Sequence, residues 1–219
     1  MTQGIMTQDK RIKDFNPVAQ SWDAKPQRQL LAQAVAGAIR SEIPLAGSLR
    51  ALEFGCGTGL VSYLLLPQLA TLTGVDRAPA MLQVFEQKAS ELGQGERVST
   101  FLATDDTLLP PGDTFELIYS SMVLHHVPDY SAVVARLVTA LAPGGYLALA
   151  DLDLEDGDFH DQAEGVAHAG IDRELLQQLL RQQGLVAVRA MTAHCICKQR
   201  ASGEKVYPVF LVTGQRPPA

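Results

Sequence analysis

The residues best suited to chemistry are glycines and carboxylates in the first half of the chain. Glycines stand at 55, 57 and 59, between an apolar run that ends at Phe54 and another that starts at Leu60. Glycine has no Cβ, so it accepts a positive φ and lets a ligand lie against the backbone. Glycine turns between a strand and a helix are where α/β sheets bind nucleotides. The segment therefore predicts a strand, a ligand-binding turn and a helix.

The spacing of the glycines narrows the class of ligand. Dinucleotide turns follow the pattern G-x-G-x-x-G, but here the pattern is G-x-G-x-G, and Leu60 stands at the place of the third glycine. Asp76 closes the next β-prone run about 20 residues later, where such an acid binds the ribose of an adenosine. Thr104, Asp105 and Asp106 follow a third strand-like run, and a carboxylate there can accept a hydrogen bond from adenine. These residues predict an adenosine ligand.

Five segments, taken in order, resemble the motifs of the class I S-adenosylmethionine-dependent methyltransferases. They are E-x-G-x-G-x-G from Glu53, the acid at Asp76, the acid after the third strand, L-H-H-V from Leu124 and L-x-P-G-G from Leu141. The resemblance covers residues 15 to 151 and is strongest for the small-molecule subgroup, which includes quinone- and sterol-methylating enzymes. It implies a transferase that methylates a small-molecule acceptor, with S-adenosyl-L-methionine as cofactor and S-adenosyl-L-homocysteine as product.

The resemblance also implies which residues bind the cofactor. The glycine turn would line the methionine arm, and the positive charge of the sulfonium and amino group makes an acid near the turn acceptable. Asp76 would hold the ribose hydroxyls, Arg77 and Met81 would pack on the adenine face, and Asp105, or alternatively Asp106, would accept from the adenine amine. The full expected set is Glu53, Gly55, Cys56, Gly57, Leu60, Asp76, Arg77, Met81, Thr104, Asp105, Asp106 and Ser121.

Catalysis requires little beyond positioning, because methyl transfer from a sulfonium is an in-line displacement that alignment and exclusion of water promote. A general base is needed only where the acceptor loses a proton. His126 is the candidate base; alternatively, its imidazole and that of His125 serve the local structure. His125, Asp151 and His160 are further acceptor-pocket candidates. Trp22 either folds over the cofactor or anchors the N-terminal helix.

No metal site is predicted. The acidic run 151–161 begins like a calcium loop, but Asp156 and Gln162 stand where the loop needs glycine and glutamate. Ser121 stands where metal-dependent catechol-type methyltransferases place an aspartate. The C-x-C pair at 195–197 supplies only two ligands, which favours a structural strand.

Strand-like and helix-like runs alternate along the chain, which predicts an α/β fold with a doubly wound, mostly parallel sheet. The resemblance adds seven strands, helices on both faces and an antiparallel last strand, as in the Rossmann-like methyltransferase fold. We expect a mobile tail at 1–13 and a single domain at 14–219. Within it, 14–48 form an N-terminal helical lid, 49–151 the cofactor-binding core, and 152–219 the acceptor-pocket loop, a helix and a terminal hairpin.

Caps and periodicity predict the bounds of several elements. Prolines begin the first two helices, whereas Ser131 and Asp172 are the expected N-caps of the later two. The expected helices and terminal strands are Pro26–Arg40, Pro79–Leu92, Ser131–Leu141, Asp172–Gln183, Leu185–Met191 and Val206–Thr213.

Composition favours an enzyme that acts on a small molecule. The 219 residues suffice for one domain with a substantial core, and the net charge of −6 disfavours a nucleic-acid substrate. Three cysteines, a polar start and no long apolar run predict a cytoplasmic protein without a membrane span. We expect a monomer or homodimer. The alternatives are a non-catalytic S-adenosylmethionine-binding subunit, a methyltransferase acting on a protein, and a nucleotide-dependent oxidoreductase.

Overall fold

The computed structural model describes residues 13–162, 164–201 and 203–219. The tail predicted at 1–13 lies outside these residues, except for Lys13. The strands are β1 (Arg50–Phe54), β2 (Thr71–Asp76), β3 (Val98–Leu102), β4 (Phe115–Ser121), β5 (Leu141–Leu152), β6 (Val186–Arg200) and β7 (Gly203–Gln215). The α-helices are α1 (Pro26–Glu42), α2 (Leu60–Leu65), α3 (Pro79–Glu91), α4 (Tyr130–Thr139) and α5 (Arg173–Gln182), and short 3-10 helices cover Asn16–Ala24, Leu66–Gln68 and Leu124–His126.

The strands form a seven-stranded sheet in the order β3-β2-β1-β4-β5-β7-β6. Strands β1 to β5 are parallel to one another, whereas β7 is antiparallel to both β5 and β6. The predicted mostly parallel, doubly wound fold is therefore confirmed. The strand order reverses between β1 and β4, and ligands of such sheets bind outside the carboxyl ends of the strands at that switch point.

Apolar side chains pack on both faces of the sheet. Ala51 and Leu52 are neighbours in β1 and point to opposite faces of the sheet. Both are fully buried, because each face is covered by a cluster of apolar side chains. One face is covered by α1, α2 and Phe85 of α3, and the other by α4 and α5. This burial on both faces explains the nearly continuous apolar runs of the central strands. The polar residues that follow these runs consequently lie at the edge of the sheet.

The caps of the later helices are partly as predicted. Asp172 accepts hydrogen bonds from the backbone N–H groups of Glu174 and Leu175, which confirms it as the cap of α5. The cap predicted at Ser131 is wrong, because Asp129 accepts from the N–H of Ala132 at 2.9 Å and the helix begins one residue earlier. Helix α4 also ends two residues before Leu141, which already belongs to β5.

The terminal hairpin is longer than predicted. Strand β6 continues to Arg200 and pairs with β7 as far as Gly203, so both strands extend beyond Leu152, where the pairing of β5 ends. The predicted strand stopped early because residues 192–200 are mostly polar and lie on a partly exposed edge, where hydrogen bonds to β7 rather than apolar burial define the strand. None of the described helices has the length and apolar character needed to cross a membrane.

Candidate functional site

The glycine turn joins β1 to α2 at the switch point of the sheet. Gly55 and Gly57 have φ of 70° and 52°. A Cβ on Gly55 would lie 2.3 Å from Cγ2 of Val123, whereas one on Gly57 would meet no atom within 4 Å. Packing against the segment after β4 therefore explains Gly55. Gly57 faces open space, and it is the position of the turn where a ligand can approach the backbone.

Asp76, at the end of β2, binds this turn directly. Its Oδ2 accepts from the N–H of Gly57 at 2.8 Å, and its Oδ1 accepts from the N–H of Ala78 at 2.9 Å. Burial raises the pKa of Asp76, although hydrogen bonds from backbone N–H groups oppose that shift. The sequence-based expectation that Asp76 lies beside the turn agrees with this geometry, because β1 and β2 are adjacent parallel strands.

Glu53 lies beneath the turn and not on its open surface. Its side chain accepts a hydrogen bond from the hydroxyl of Ser62, which in turn lies 3.0 Å from the hydroxyl of Tyr119. Only 2% of Glu53 is exposed, and this burial raises its pKa to about 8. Burial therefore favours the neutral form of this carboxyl group, which faces Ser62 of α2 and not the open side of the turn.

The residues expected near adenine form an exposed rim at the ends of β2 and β3. Arg77 and Asp105 form an ion pair at 2.5 Å, and the side chain of Asp105 is 83% exposed. Thr104 and Asp106 are exposed on the same turn. Met81 is buried, and packs with Ala78 and the N-terminal segment. Leu60 begins α2 and Ser121 ends β4, so both expected residues flank the switch point.

The N-terminal 3-10 helix lies over the start of α3 and is attached to the glycine turn. Asp23 forms an ion pair with Lys88 of α3 and accepts from the hydroxyl of Thr58 at 2.5 Å. Lys88 also donates to the carbonyl oxygen of Thr58 at 2.7 Å. These contacts connect the segment before α1 to residue 58 of the turn. Neither Asp23 nor Lys88 could be recognised from the sequence, because the two residues are distant in the chain and belong to no motif.

Trp22 belongs to an aromatic group on this N-terminal segment. The guanidinium group of Arg28 lies 3.4 Å from the centroid of its ring, and the ring of Phe15 meets it edge-on at 5.7 Å. Phe15 also contacts His126, with ring centroids 5.4 Å apart. Phe15, which sequence reasoning missed, therefore connects Trp22 to the residues that follow β4.

Those residues include a buried histidine–aspartate pair. Nδ1 of His125 donates to Oδ1 of Asp151 at 2.5 Å, and the exposed fractions of the two side chains are 1% and 0%. Asp151 also accepts from the backbone N–H groups of Leu124 and Leu152, each at 2.7 Å. Burial raises the pKa of Asp151, but attraction to His125 and these hydrogen bonds outweigh it, so the pKa is lowered. Asp151 is therefore a buried carboxylate.

Three imidazoles, those of His125, His126 and His160, lie together and are called the histidine cluster below. One ring nitrogen from each lies within 4.8 Å of the others. Nδ1 of His126 donates to the carbonyl oxygen of Gly165 at 2.7 Å. Burial lowers the pKa of both His126 and His160 to about 4. The structure thus brings together four residues that the sequence suggested separately, since Asp151 binds one of these rings.

The acidic loop after β5 has its own partners. One carboxylate oxygen of Glu155 accepts from the backbone N–H groups of Gly157, Asp158 and Phe159. Asp156 and Asp158 both form ion pairs with Lys205 of β7. These contacts attach the loop to the terminal hairpin.

The doubly wound sheet, the open glycine turn at its switch point and the acid on the next strand define a Rossmann-like α/β protein. Residues 21–200 match the methyltransferase domain family. The chain belongs to that family, as the ordered motifs predicted.

Individual relatives support this assignment. An uncharacterized methyltransferase of Schizosaccharomyces pombe is 34% identical over 133 residues, which are 54% of this chain and 46% of the relative. The ubiquinone biosynthesis O-methyltransferase of Colwellia psychrerythraea is 28% identical over 166 residues, 69% of this chain and 67% of that relative. This chain spans about half the length of the first of these relatives.

A solved structure shares the fold. Phosphoethanolamine N-methyltransferase 2 of Haemonchus contortus, in complex with S-adenosyl-L-methionine, has a TM-score of 0.68 at 12% identity, over 94% of this chain and 60% of that one.

Proposed function

We propose that the protein is a methyltransferase that uses S-adenosyl-L-methionine to methylate a small-molecule acceptor. The observation that carries the proposal is the open backbone at Gly57, with Asp76 bound to it, at the switch point of a chain of the methyltransferase family. The relative that is named an O-methyltransferase of ubiquinone biosynthesis supports a small-molecule acceptor. The net charge of −6 supports an acceptor other than nucleic acid.

The turn and the rim around it can hold each part of the cofactor. The methionine arm would lie against Gly57, where no side chain blocks the approach. Asp76 would accept hydrogen bonds from the ribose hydroxyls, and the pair of Arg77 and Asp105 would border the adenine. Glu53 contributes only to the core below the turn, since its carboxyl group is buried and bound to Ser62.

Bound S-adenosylmethionine supplies a methyl group on a sulfonium, which the acceptor displaces to leave S-adenosylhomocysteine. The protein contributes position and exclusion of water. Phe15 and the N-terminal helix cover the edge of the sheet next to His126. The histidine cluster follows β4 and β5, so it lies at the same edge as the glycine turn.

An acceptor hydroxyl would have to lose a proton during transfer. His126 can receive it, because Nδ1 donates to Gly165 and the lone pair of the neutral ring is therefore on Nε2. The low pKa of His126 makes it a weak base, which suits an acceptor that is itself acidic. The catalytic role of His126 is thus part of the proposal only for O–H acceptors.

Methyl transfer is tested with S-adenosylmethionine that carries a radiolabelled methyl group. Phenols, quinols and carboxylic acids form one acceptor panel, and a total protein extract forms the other. We expect label in the organic-soluble fraction with at least one small acceptor. Label confined to precipitated protein would favour a protein acceptor, and no transfer by a chain that binds S-adenosylhomocysteine would favour a non-catalytic subunit.

We also propose a cytoplasmic location and a monomeric or homodimeric state. The three cysteines are all free thiols in the structure, which suits a reducing compartment. Fractionation of cells and analytical ultracentrifugation test the two statements separately.

A further inference from the structure

Two nitrogens of the histidine cluster lack the hydrogen bonds that buried polar atoms require. Nε2 of His125 and Nε2 of His160 are both buried and have no partner among the described residues. The ring centroids of these two histidines are 5.1 Å apart, and that of His126 is 4.1 Å from the first and 5.6 Å from the second. Buried polar nitrogens nearly always have a partner, and a cation, or a proton donor such as water, between these rings would supply one.

In His125 and His126, the Nδ1 atom forms a hydrogen bond of the kind that supports metal-binding histidines. His125 donates from Nδ1 to the carboxylate of Asp151, and His126 donates from Nδ1 to the carbonyl oxygen of Gly165. These bonds fix the orientation of both rings, and in the neutral form of each ring they leave the lone pair on Nε2. A carboxylate or carbonyl behind the ring is the usual support of a metal-ligating histidine.

We propose that His125, His126 and His160 bind one divalent transition-metal ion, with Zn²⁺ as the best-matched ion. Imidazole is a preferred ligand of Zn²⁺, and three histidines leave one of its four tetrahedral positions open. Zinc–nitrogen bonds of about 2.1 Å place the nitrogens about 3.4 Å apart. The present separations of up to 4.8 Å therefore close by about 1.4 Å on binding. His160 lies in the loop after β5, outside the helices and strands, so we expect its ring to supply this movement.

The charges around the cluster are compatible with a bound cation. Asp151 is a buried carboxylate behind His125 and supplies the nearest negative charge. The amino groups of Lys13 and Lys198 oppose binding. That of Lys198 is held by the carbonyl oxygen of Phe159, to which it donates at 2.6 Å, and it lies over the ring of that residue.

If the protein methylates a small molecule, as proposed above, the metal ion would also activate the acceptor. An acceptor hydroxyl at the open position would have a lowered pKa and would lose its proton to solvent. With its Nε2 lone pair bound to the ion, His126 would not act as the base, and the oxygen could take the methyl group without one. Metal binding itself requires neither cofactor nor acceptor, so the test of the site is separate from the test of methyl transfer.

Calorimetric titration of the EDTA-treated full chain with ZnCl₂ tests the proposal. The protein carries Cys195→Ser and Cys197→Ser, so that the exposed thiols of β6 cannot bind the ion. We expect one Zn²⁺ per chain, and an affinity at least about tenfold lower in His160→Gln. His160→Gln is the chosen variant because the ring of His160 forms no hydrogen bond with the described residues, so the fold should lose none. Replacement of His125, in contrast, would leave the carboxylate of Asp151 buried without its partner.

The matched control is His168→Gln. His168 lies in the same region, but its Nε2 donates to the carbonyl oxygen of Val127 at 2.9 Å and it is not part of the cluster. We expect unchanged Zn²⁺ affinity in this variant, and X-ray absorption of the zinc-loaded protein should give about three imidazole nitrogens at 2.0–2.1 Å. Absence of saturable one-to-one binding, or equal affinities in His160→Gln and His168→Gln, would overturn the proposal.

Discussion

Glu53 belongs to the glycine-turn motif, but its side chain is buried in the core below the turn. Its carboxyl group is bound to Ser62 and Tyr119 lies next to that pair. The motif predicted an acid at this position, but the depth of the side chain depends on the packing of α2 against β1. The burial of the Glu53 side chain could not be predicted from the sequence. Both faces of β1 are buried, so the strand has no alternation of apolar and polar residues that would show which side chains are exposed.

The raised pKa of Glu53 predicts a pH-dependent stability. In the unfolded chain the group titrates near 4.5, whereas in the folded chain its pKa is about 8. Its contribution to stability is complete below pH 4.5 and is lost as the pH rises to 8, because the unfolded state then binds fewer protons. The slope from this group is at most about 1.4 kcal/mol per pH unit.

Glu53→Gln should remove this slope, because the amide keeps an acceptor for Ser62 and has no proton to lose. Urea unfolding of both proteins between pH 5 and pH 8 measures the difference. An identical fall in the free energy of unfolding for wild type and variant would contradict the assigned pKa.

Gly55 is a residue that the structure explains by packing. Gly55→Ala forces a Cβ to within 2.3 Å of the Val123 side chain at a backbone φ of 70°. We expect a loss of about 3 kcal/mol in the free energy of unfolding, from overpacking together with left-handed strain. Val123→Ala should recover part of that loss in the double variant, so the two effects should not add. Simple additivity in urea unfolding would exclude this contact as the cause.

At the scale of elements, the sequence predicted helix starts and the switch-point turn well. Pro26, Pro79 and Asp172 have local effects on the backbone, so their positions are readable from the chain. The approach of His160 to His125 was not readable, because the loop after β5 is positioned by ion pairs to β7. Such long-range contacts have no local pattern.

The N-terminal 3-10 helix should act as a cover whose position depends on Asp23. Asp23→Ala removes the contacts to Lys88 and Thr58, so we expect S-adenosylhomocysteine to bind about fivefold more weakly, equivalent to about 1 kcal/mol. Trp22, the single tryptophan of the chain, reports the same segment, and its emission should shift on ligand binding.

The control for this experiment is Glu91→Ala. Glu91 is an exposed acid at the end of α3, hydrogen-bonded to Gln87, and its removal should leave the affinity unchanged. Equal affinities for Asp23→Ala and wild type, or no change in Trp22 emission at saturating ligand, would argue against a cover over the cofactor.

At the scale of the whole molecule, the sheet order brings the functional residues together. Reversal of the order between β1 and β4 places the glycine turn beside the segment that carries His125 and His126. Alternation of strands and helices was sufficient to predict this architecture, because parallel strands need crossover connections. The identity of the acceptor was not predictable, since the segments that we propose for its site, the N-terminal segment and the loop after β5, match no motif.

The most direct measurement is calorimetric binding of S-adenosylhomocysteine to wild type, Gly57→Ala and Gly47→Ala. Both glycines have positive φ, 52° and 67°, and both face open space, but Gly47 is outside the glycine turn. The two substitutions thus impose similar backbone strain. We predict one-to-one binding by wild type and Gly47→Ala, and an affinity more than about tenfold lower in Gly57→Ala, equivalent to about 1.4 kcal/mol. No binding by wild type, or equal affinities in the two variants, would contradict the assignment of the turn as the cofactor site.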